Sequence, residues 1–87
     1  GQAEMKADSV LLKDLQASRD IYLEANGEIR ANGLVSGADV TIVQRSSDPS
    51  AAVAVKNVDA GDQIFVLNAG GPVSLEKSVS GNSDPTG

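Results

Sequence analysis

The feature that most constrains this chain is a phrase that returns at a fixed interval. Leu15-Gln16-Ala17-Ser18-Arg19-Asp20-Ile21-Tyr22-Leu23 is echoed by Leu34-Val35-Ser36-Gly37-Ala38-Asp39-Val40-Thr41-Ile42, at an offset of 19 residues. Each copy carries an apolar residue, a pair that includes a small residue, an Asp, and an apolar-polar-apolar triplet. A third copy, Val58-Asp59-Ala60-Gly61-Asp62-Gln63-Ile64-Phe65-Val66, follows at an offset of 24, with Gln63 in place of the Asp. The five extra residues are accounted for if the polar, Ser-rich stretch Gln44–Ser50 is a loop insertion. A later echo, Leu67–Val73 on Leu23–Ile29, runs at 44, whereas the third phrase lies 43 from the first. One further residue is therefore expected near Phe65. A one-residue slip within a strand would exchange its faces.

A unit of this length is too short for a two-helix repeat or a propeller blade. It suits one turn of a parallel β-helix (β-solenoid), in which short strands stack on their equivalents in the next coil and bury a continuous apolar column. The expected fold is all-β, with about 3–4 coils and a short amino-terminal cap. Ile21, Val40 and Ile64 form one inward ladder, and Leu23, Ile42 and Val66 a second. Ile29 and Val73 form a third, with Val53 or Val55 in the middle coil. Gly27, Gly33, Gly37, Gly61 and Gly71 are assigned to corners, where positive φ is often required. Asp20 and Asp39 are assigned to equivalent corners, where a short carboxylate reaches backbone N–H groups. The division expected is a polar terminus or cap over 1–9, repeats over 10–81 with the insertion at 44–50, and a frayed tail over 82–87.

A competing architecture is α+β, with an amino-terminal helix and an antiparallel sheet. Residues 4–25 are good helix formers, and Asn26-Gly27 suits a helix end. Asn26-Gly27 and Asn32-Gly33 are also ordinary hairpin signals.

The residues that carry the repeat resemble a known family. RDIYLEANGEIRANGLVSGADVTIV and AGDQIFVLNAGGPVSL are similar to the filamentous-haemagglutinin-type repeats of two-partner-secretion exoproteins. The matching stretches are Ala17 to Ile29, Ser36 to Ile42 and Ala60 to Val73. The resemblance implies a right-handed parallel β-helix, exported from a Gram-negative cell and displayed as a stalk. Members serve as adhesins, haemolysins and contact-dependent inhibition proteins. The implied role is a non-catalytic structural or adhesive segment of a secreted or cell-surface exoprotein. The alternative is a virion structural protein, such as a capsid decoration, spike or fibre component, acting as an oligomer.

Composition narrows the chemistry. The chain has no His and no Cys among its 87 residues, which removes the commonest general base, thiolate nucleophiles and disulfides. Its net charge of −5 runs against nucleic-acid binding, which needs clustered cations. No apolar run approaches the roughly 20 residues of a membrane-spanning helix. Chains this short bury only about 60% of their unfolded surface, so support from neighbouring coils, protein partners or a homo-oligomer is expected. The initial Gly, and the absence of a cap on the carboxy-terminal side, point to a fragment of a longer solenoid or to stacking between chains.

Individual residues add little chemistry. Asp59, Asp62, Asp48 and Asp84 read as turn carboxylates rather than a Ca²⁺ cage, which takes about six to eight oxygens. Gly70-Gly71 lacks the frame of a phosphate loop. Glu24 and Glu28 are the one pair spaced for acid–base work, without an aromatic sugar platform beyond Tyr22. Ser46 and Ser47 have no His to activate them. The expectation is that the chain is not an enzyme, with no catalytic, cofactor-binding or metal-binding residues and no cofactor. An outward row of Tyr22, Thr41 and Phe65 is the one surface feature that fits a contact strip.

Overall fold

Side chains alternate in and out along the inner strands, with one change of phase in the longer ones, and that alternation is what the fold is built from. The computed structural model describes residues 2–48, 50–68 and 70–80. They form eight strands: β1 (Ala3–Ala7), β2 (Val10–Ala17), β3 (Ile21–Ala25), β4 (Ile29–Ser36), β5 (Val40–Gln44), β6 (Val53–Ala60), β7 (Ile64–Asn68) and β8 (Val73–Ser80). Odd strands have five residues and even strands eight. The odd strands make one four-stranded sheet in the order β1-β3-β5-β7, and the even strands another, β2-β4-β6-β8. All pairings are parallel. The chain thus passes from one sheet to the other at each connection and returns beside the strand it left two elements earlier.

The connections divide into two kinds. Every described passage from an even strand to the next odd strand takes three residues: 18–20, 37–39 and 61–63. Passages from odd to even strands take two, three, eight and four residues. All variation in the repeat length therefore sits at one corner, while strand lengths and the other corner stay constant. The long passage is the Ser-rich insertion, which begins at residue 45, since Gln44 is the last residue of β5. The additional residue expected near Phe65 lies instead in the β7–β8 passage. β7 keeps its faces, with Val66, not Leu67, in register with Ile42 and Leu23.

The inward positions are the first, third and fifth of each odd strand. Ile21, Val40 and Ile64 stack, as do Leu23, Ile42 and Val66, in agreement with the ladders read from the sequence. Ile29, Val53 and Val73 form the third. In β4 and β6 the inward positions are the first, third, sixth and eighth, as the burial of Ile29, Ala31, Leu34 and Ser36 shows. This change of phase is made by the fifth residue. Asp14, Gly33, Asn57 and Lys77 occupy that place in β2, β4, β6 and β8 and have φ of 57°, 84°, 54° and 54°. A left-handed residue turns the strand by a local bend and so restores an inward face after it. The inward columns of both sheets merge into one apolar cluster.

Three expectations are corrected. The described residues contain no helix and no antiparallel pairing, so the α+β alternative fails, and residues 4–25 are strands. Their helix-forming composition is overridden by ladder pairing of β1 with β3 and β2 with β4. Asn26-Gly27 joins strands of different sheets, and Asn32-Gly33 lies inside β4, so neither closes a hairpin. Positive φ among the described glycines occurs at Gly33 alone; Gly27, Gly37, Gly61 and Gly71 do not need it. Gly37 and Gly61 serve close approach instead. A Cβ at Gly37 would fall on the Ser18 carbonyl oxygen, and one at Gly61 on that of Gly37.

The constant corner is also held by carboxylates. The Asp39 N–H donates to Asp20 Oδ1 at 3.1 Å, and the Gln63 N–H to Asp39 Oδ1 at 3.1 Å. Each Asp thus ties its own corner to the next one along the stack. The buried Ser36 hydroxyl donates to the Arg19 carbonyl and accepts from the Ala38 N–H at 3.1 Å. The tail over 82–87 and Asp84 lie outside the described residues.

Candidate functional site beside the variable corner

The outward positions of the odd strands form two columns. Glu4, Tyr22, Thr41 and Phe65 are in register in one, and Lys6, Glu24, Val43 and Leu67 in the other. The row expected from the sequence, Tyr22-Thr41-Phe65, is therefore a column on one sheet face. Its neighbours give it character. Phe65 and Leu67 are exposed, while Val43 is buried despite its outward position.

The eight-residue passage after β5 adds Arg45 to this face. The Arg45 N–H donates to the Ala25 carbonyl at 2.9 Å, which extends the ladder by one bond. Its guanidinium then grips Glu24, with Nε 3.2 Å from Oε2 and Nη2 3.4 Å from Oε1. The Tyr22 hydroxyl donates to Glu24 Oε1 at 2.6 Å. The tyrosine hydrogen bond and then the guanidinium hold the Glu24 carboxyl below the ordinary glutamate range. The same hydrogen bond raises the Tyr22 phenol. The contact with Glu24 raises Arg45 further. Lys6 Nζ sits 5.9 Å from the centre of the Tyr22 ring, within the range of a cation–π contact.

The rest of the passage braces itself. Asp48 Oδ1 accepts the Ser50 N–H at 2.9 Å and its hydroxyl at 2.8 Å, and the backbone bond first, then the hydroxyl, lowers the Asp48 pKa. Ser46 Oγ accepts the Asp48 N–H at 3.0 Å. The Gly71 N–H reaches the Asp48 carbonyl at 3.3 Å, so the insertion rests on the following β7–β8 passage.

Between this passage and the sheet lies a shallow concavity of about 510 Å³, lined by Tyr22, Thr41, Val43, Gln44, Arg45, Leu67 and Asn68. That volume falls within the usual range for small-ligand pockets. Gln44 is buried; its Nε2 donates to the Gly27 carbonyl at 3.2 Å, and its Oε1 has no hydrogen-bond partner among the described residues. An orphaned buried acceptor costs about 1–3 kcal/mol, and at the inward fifth position of β5 this one is closed off from the outward face.

The other residues singled out from sequence do not assemble. Glu28 pairs with Arg30 at 3.0 Å while Glu24 is engaged with Arg45, so the two carboxylates serve separate ion pairs. Asp59 lies on β6 and Asp62 in the following corner. Among the described residues no group of three or more His, Cys, Asp or Glu is placed to hold a metal ion, and no helix is long and apolar enough to cross a membrane. Ser46 acts as an acceptor within its own loop, and the Gly70-Gly71 backbone lies against the insertion and β7. Sequence reasoning missed the Tyr22–Glu24–Arg45 cluster. The signal present was an Arg at the first residue of the insertion, three places beyond the inward Ile42.

A scan against protein-family models, a search of curated proteins and a search of solved structures each return no match to this chain.

Proposed function

We propose that the chain is a segment of a parallel β-solenoid with a non-catalytic, structural and adhesive role in a secreted or cell-surface exoprotein. The observation that carries this reading is the division of labour between the two corners. One corner and all strand lengths stay constant, as a stacked coil requires, while the other corner accepts two to eight residues. A scaffold that admits loops along one edge is suited to presenting a surface. The outward face of the odd-strand sheet beside that edge is the surface we assign to contact. It offers an apolar floor of Val43 and Leu67, an exposed ring at Phe65, and the ordered Tyr22–Glu24–Arg45 cluster at its rim. Such a face suits a protein partner, with aromatic and Arg groups as anchors.

The test is adhesion of beads coated with the purified chain to cultured epithelial cells. The comparison is with beads carrying a Leu67→Asp/Phe65→Ser double variant, whose changes are outward and leave the buried columns intact. Reduced adhesion of the variant, with an unchanged far-UV spectrum, is the expected result. Equal adhesion of the two chains would overturn the assigned surface.

A further inference from the structure

The two ends of the stack are different, and among the described residues each leaves a row of strand groups and core residues without a further strand. At one end β1 and β2 have a neighbour on one side only; at the other, β7 and β8 do. Met5 is 36% exposed at the first end, and Val73 and Leu75 are 44% and 41% exposed at the second. Their column partners Leu23, Val53 and Val55 are 0%, 0% and 1% exposed. Open parallel edges with apolar inward faces are templates for another strand. What selects the occupant is charge.

We propose that the β7–β8 end of one chain docks on the β1–β2 end of a second copy, continuing both sheets in register. This inference rests on the stacked-coil reading given above. In the fourth position of the even strands the column reads Lys13, Asn32, Lys56, Glu76, and in the fifth, left-handed position it reads Asp14, Gly33, Asn57, Lys77. Continued by one rung, the first column places Glu76 against Lys13 of the second copy, and the other places Lys77 against its Asp14. Both junction pairs are of opposite sign, and they are neighbours. All four side chains are exposed, and none takes part in an ion pair among the described residues. The same continuation sets Val73 on Val10, Leu75 on Leu12 and Val66 on Met5, apolar on apolar. Residues at the fifth position of both ends are already left-handed, so the bend of the even strands carries through the junction. The contact is head-to-tail: each copy keeps one free end, and association yields a growing rod rather than a closed pair.

The discriminating experiment is sedimentation velocity on the intact chain over a concentration series, at low and high salt. The wild-type chain is expected to gain mass with concentration, and to do so less at high salt, since exposed charge pairs are screened. Lys13→Glu leaves a like-charge pair with Glu76 at the junction, and Glu76→Lys a like-charge pair with Lys13. Each variant alone is expected to associate about tenfold more weakly, by loss of attraction and gain of repulsion. Mixed in equal amounts, they restore opposite charges at every alternating junction and should recover wild-type association. A misfolded variant would not be rescued by mixing. Because Glu76→Lys also sets a lysine beside Lys56 within the chain, Asp14→Lys with Lys77→Asp forms a second swap pair that avoids it. Absence of rescue in both swap pairs overturns the proposal. A wild-type chain that stays monomeric with a β-sheet far-UV spectrum does so too, and leaves the stacked-coil reading standing. A wild-type chain without a β-sheet spectrum overturns the stacked-coil reading itself.

Discussion

The middle of the stack and its ends are made of similar residues in equivalent places, yet they differ sharply in burial. Leu23 and Ile42 are fully buried, whereas Met5, in the same inward column, is 36% exposed. Val53 and Val73 are the same residue type in one column, and only the first is buried. What separates them is the number of rungs they touch. A middle rung has a neighbour above and below; an end rung has one. In the stacked-coil reading proposed above, stability accrues from nearest-neighbour interfaces, so the position of a residue along the sheets weighs as heavily as its type.

The sharpest test sets the same substitution in both regions. Ile42→Asp places an unpaired carboxylate among fully buried side chains, which costs several kcal/mol or neutralises the group. The whole chain is expected to have only about 4–13 kcal/mol, at 0.05–0.15 kcal/mol per residue. Ile42→Asp should abolish the cooperative thermal transition seen by circular dichroism, whereas Met5→Asp should retain it. A folded Ile42→Asp chain would remove the distinction between middle and end.

Truncation grades the comparison. Ile42→Ala is expected to cost about 2–5 kcal/mol, the range for large-to-small changes in a core. Met5→Ala, partly open to water, should cost roughly 1 kcal/mol, since the transfer and cavity contributions both shrink with exposure. Urea titration reads both. Equal losses would show that the ends are as well covered as the middle.

Glycine substitutions separate close approach from backbone handedness. Gly37→Ala forces a Cβ onto the Ser18 carbonyl oxygen, so the backbone of two stacked corners must move, at about 1–3 kcal/mol for overpacking. Gly33→Ala is expected to cost about 1–2 kcal/mol for a left-handed Ala, with added pressure from Asp14 Oδ1, 2.7 Å from the new Cβ. Thermal melts of both variants, in one buffer, give the order.

The smallest effect is that of pH on the exposed cluster. Glu24 has a folded pKa below its unfolded one. Its contribution is therefore fully present above the ordinary glutamate pKa of about 4.3 and is lost as pH falls through the lowered folded value. Asp48, lowered by Ser50, acts in the same direction in its own, lower window. Melting temperature should fall on acidification below about pH 4.3, and Glu24→Gln should reduce the slope. An unchanged slope in Glu24→Gln would show that the Tyr22–Glu24–Arg45 cluster does not persist in solution.

Much of the fold was legible from period alone. The columns through Ile21, Leu23 and Ile29, and the insertion after β5, follow from the recurrence of apolar residues. Other features left no such trace. The left-handed column holds Asp14, Gly33, Asn57 and Lys77, four residue types, of which Gly favours positive φ strongly, Asn and Asp weakly and Lys not at all. The stretch from Leu11 to Ala17 contains good helix formers, and its strand state comes from pairing with β4. The ladder through Val66 was legible too, but the similarity of Leu67–Val73 to Leu23–Ile29 put the extra residue near Phe65, because Val66 and Leu67 are both apolar and only pairing with β5 shows that it lies after β7.

The sequence by itself determined the period, the inward columns and the place where the repeat admits extra residues, because those follow from alternation and recurrence along one chain. The tertiary structure decided the rest. Arg45 meets Glu24 across 21 positions of chain, Asp20 reaches the N–H of Asp39 in the next corner, and Lys13 and Glu76 fall in one column at opposite ends of the even-strand sheet. Each of these depends on which strands lie side by side, and therefore on a register set by many pairings at once rather than by any local run of residues.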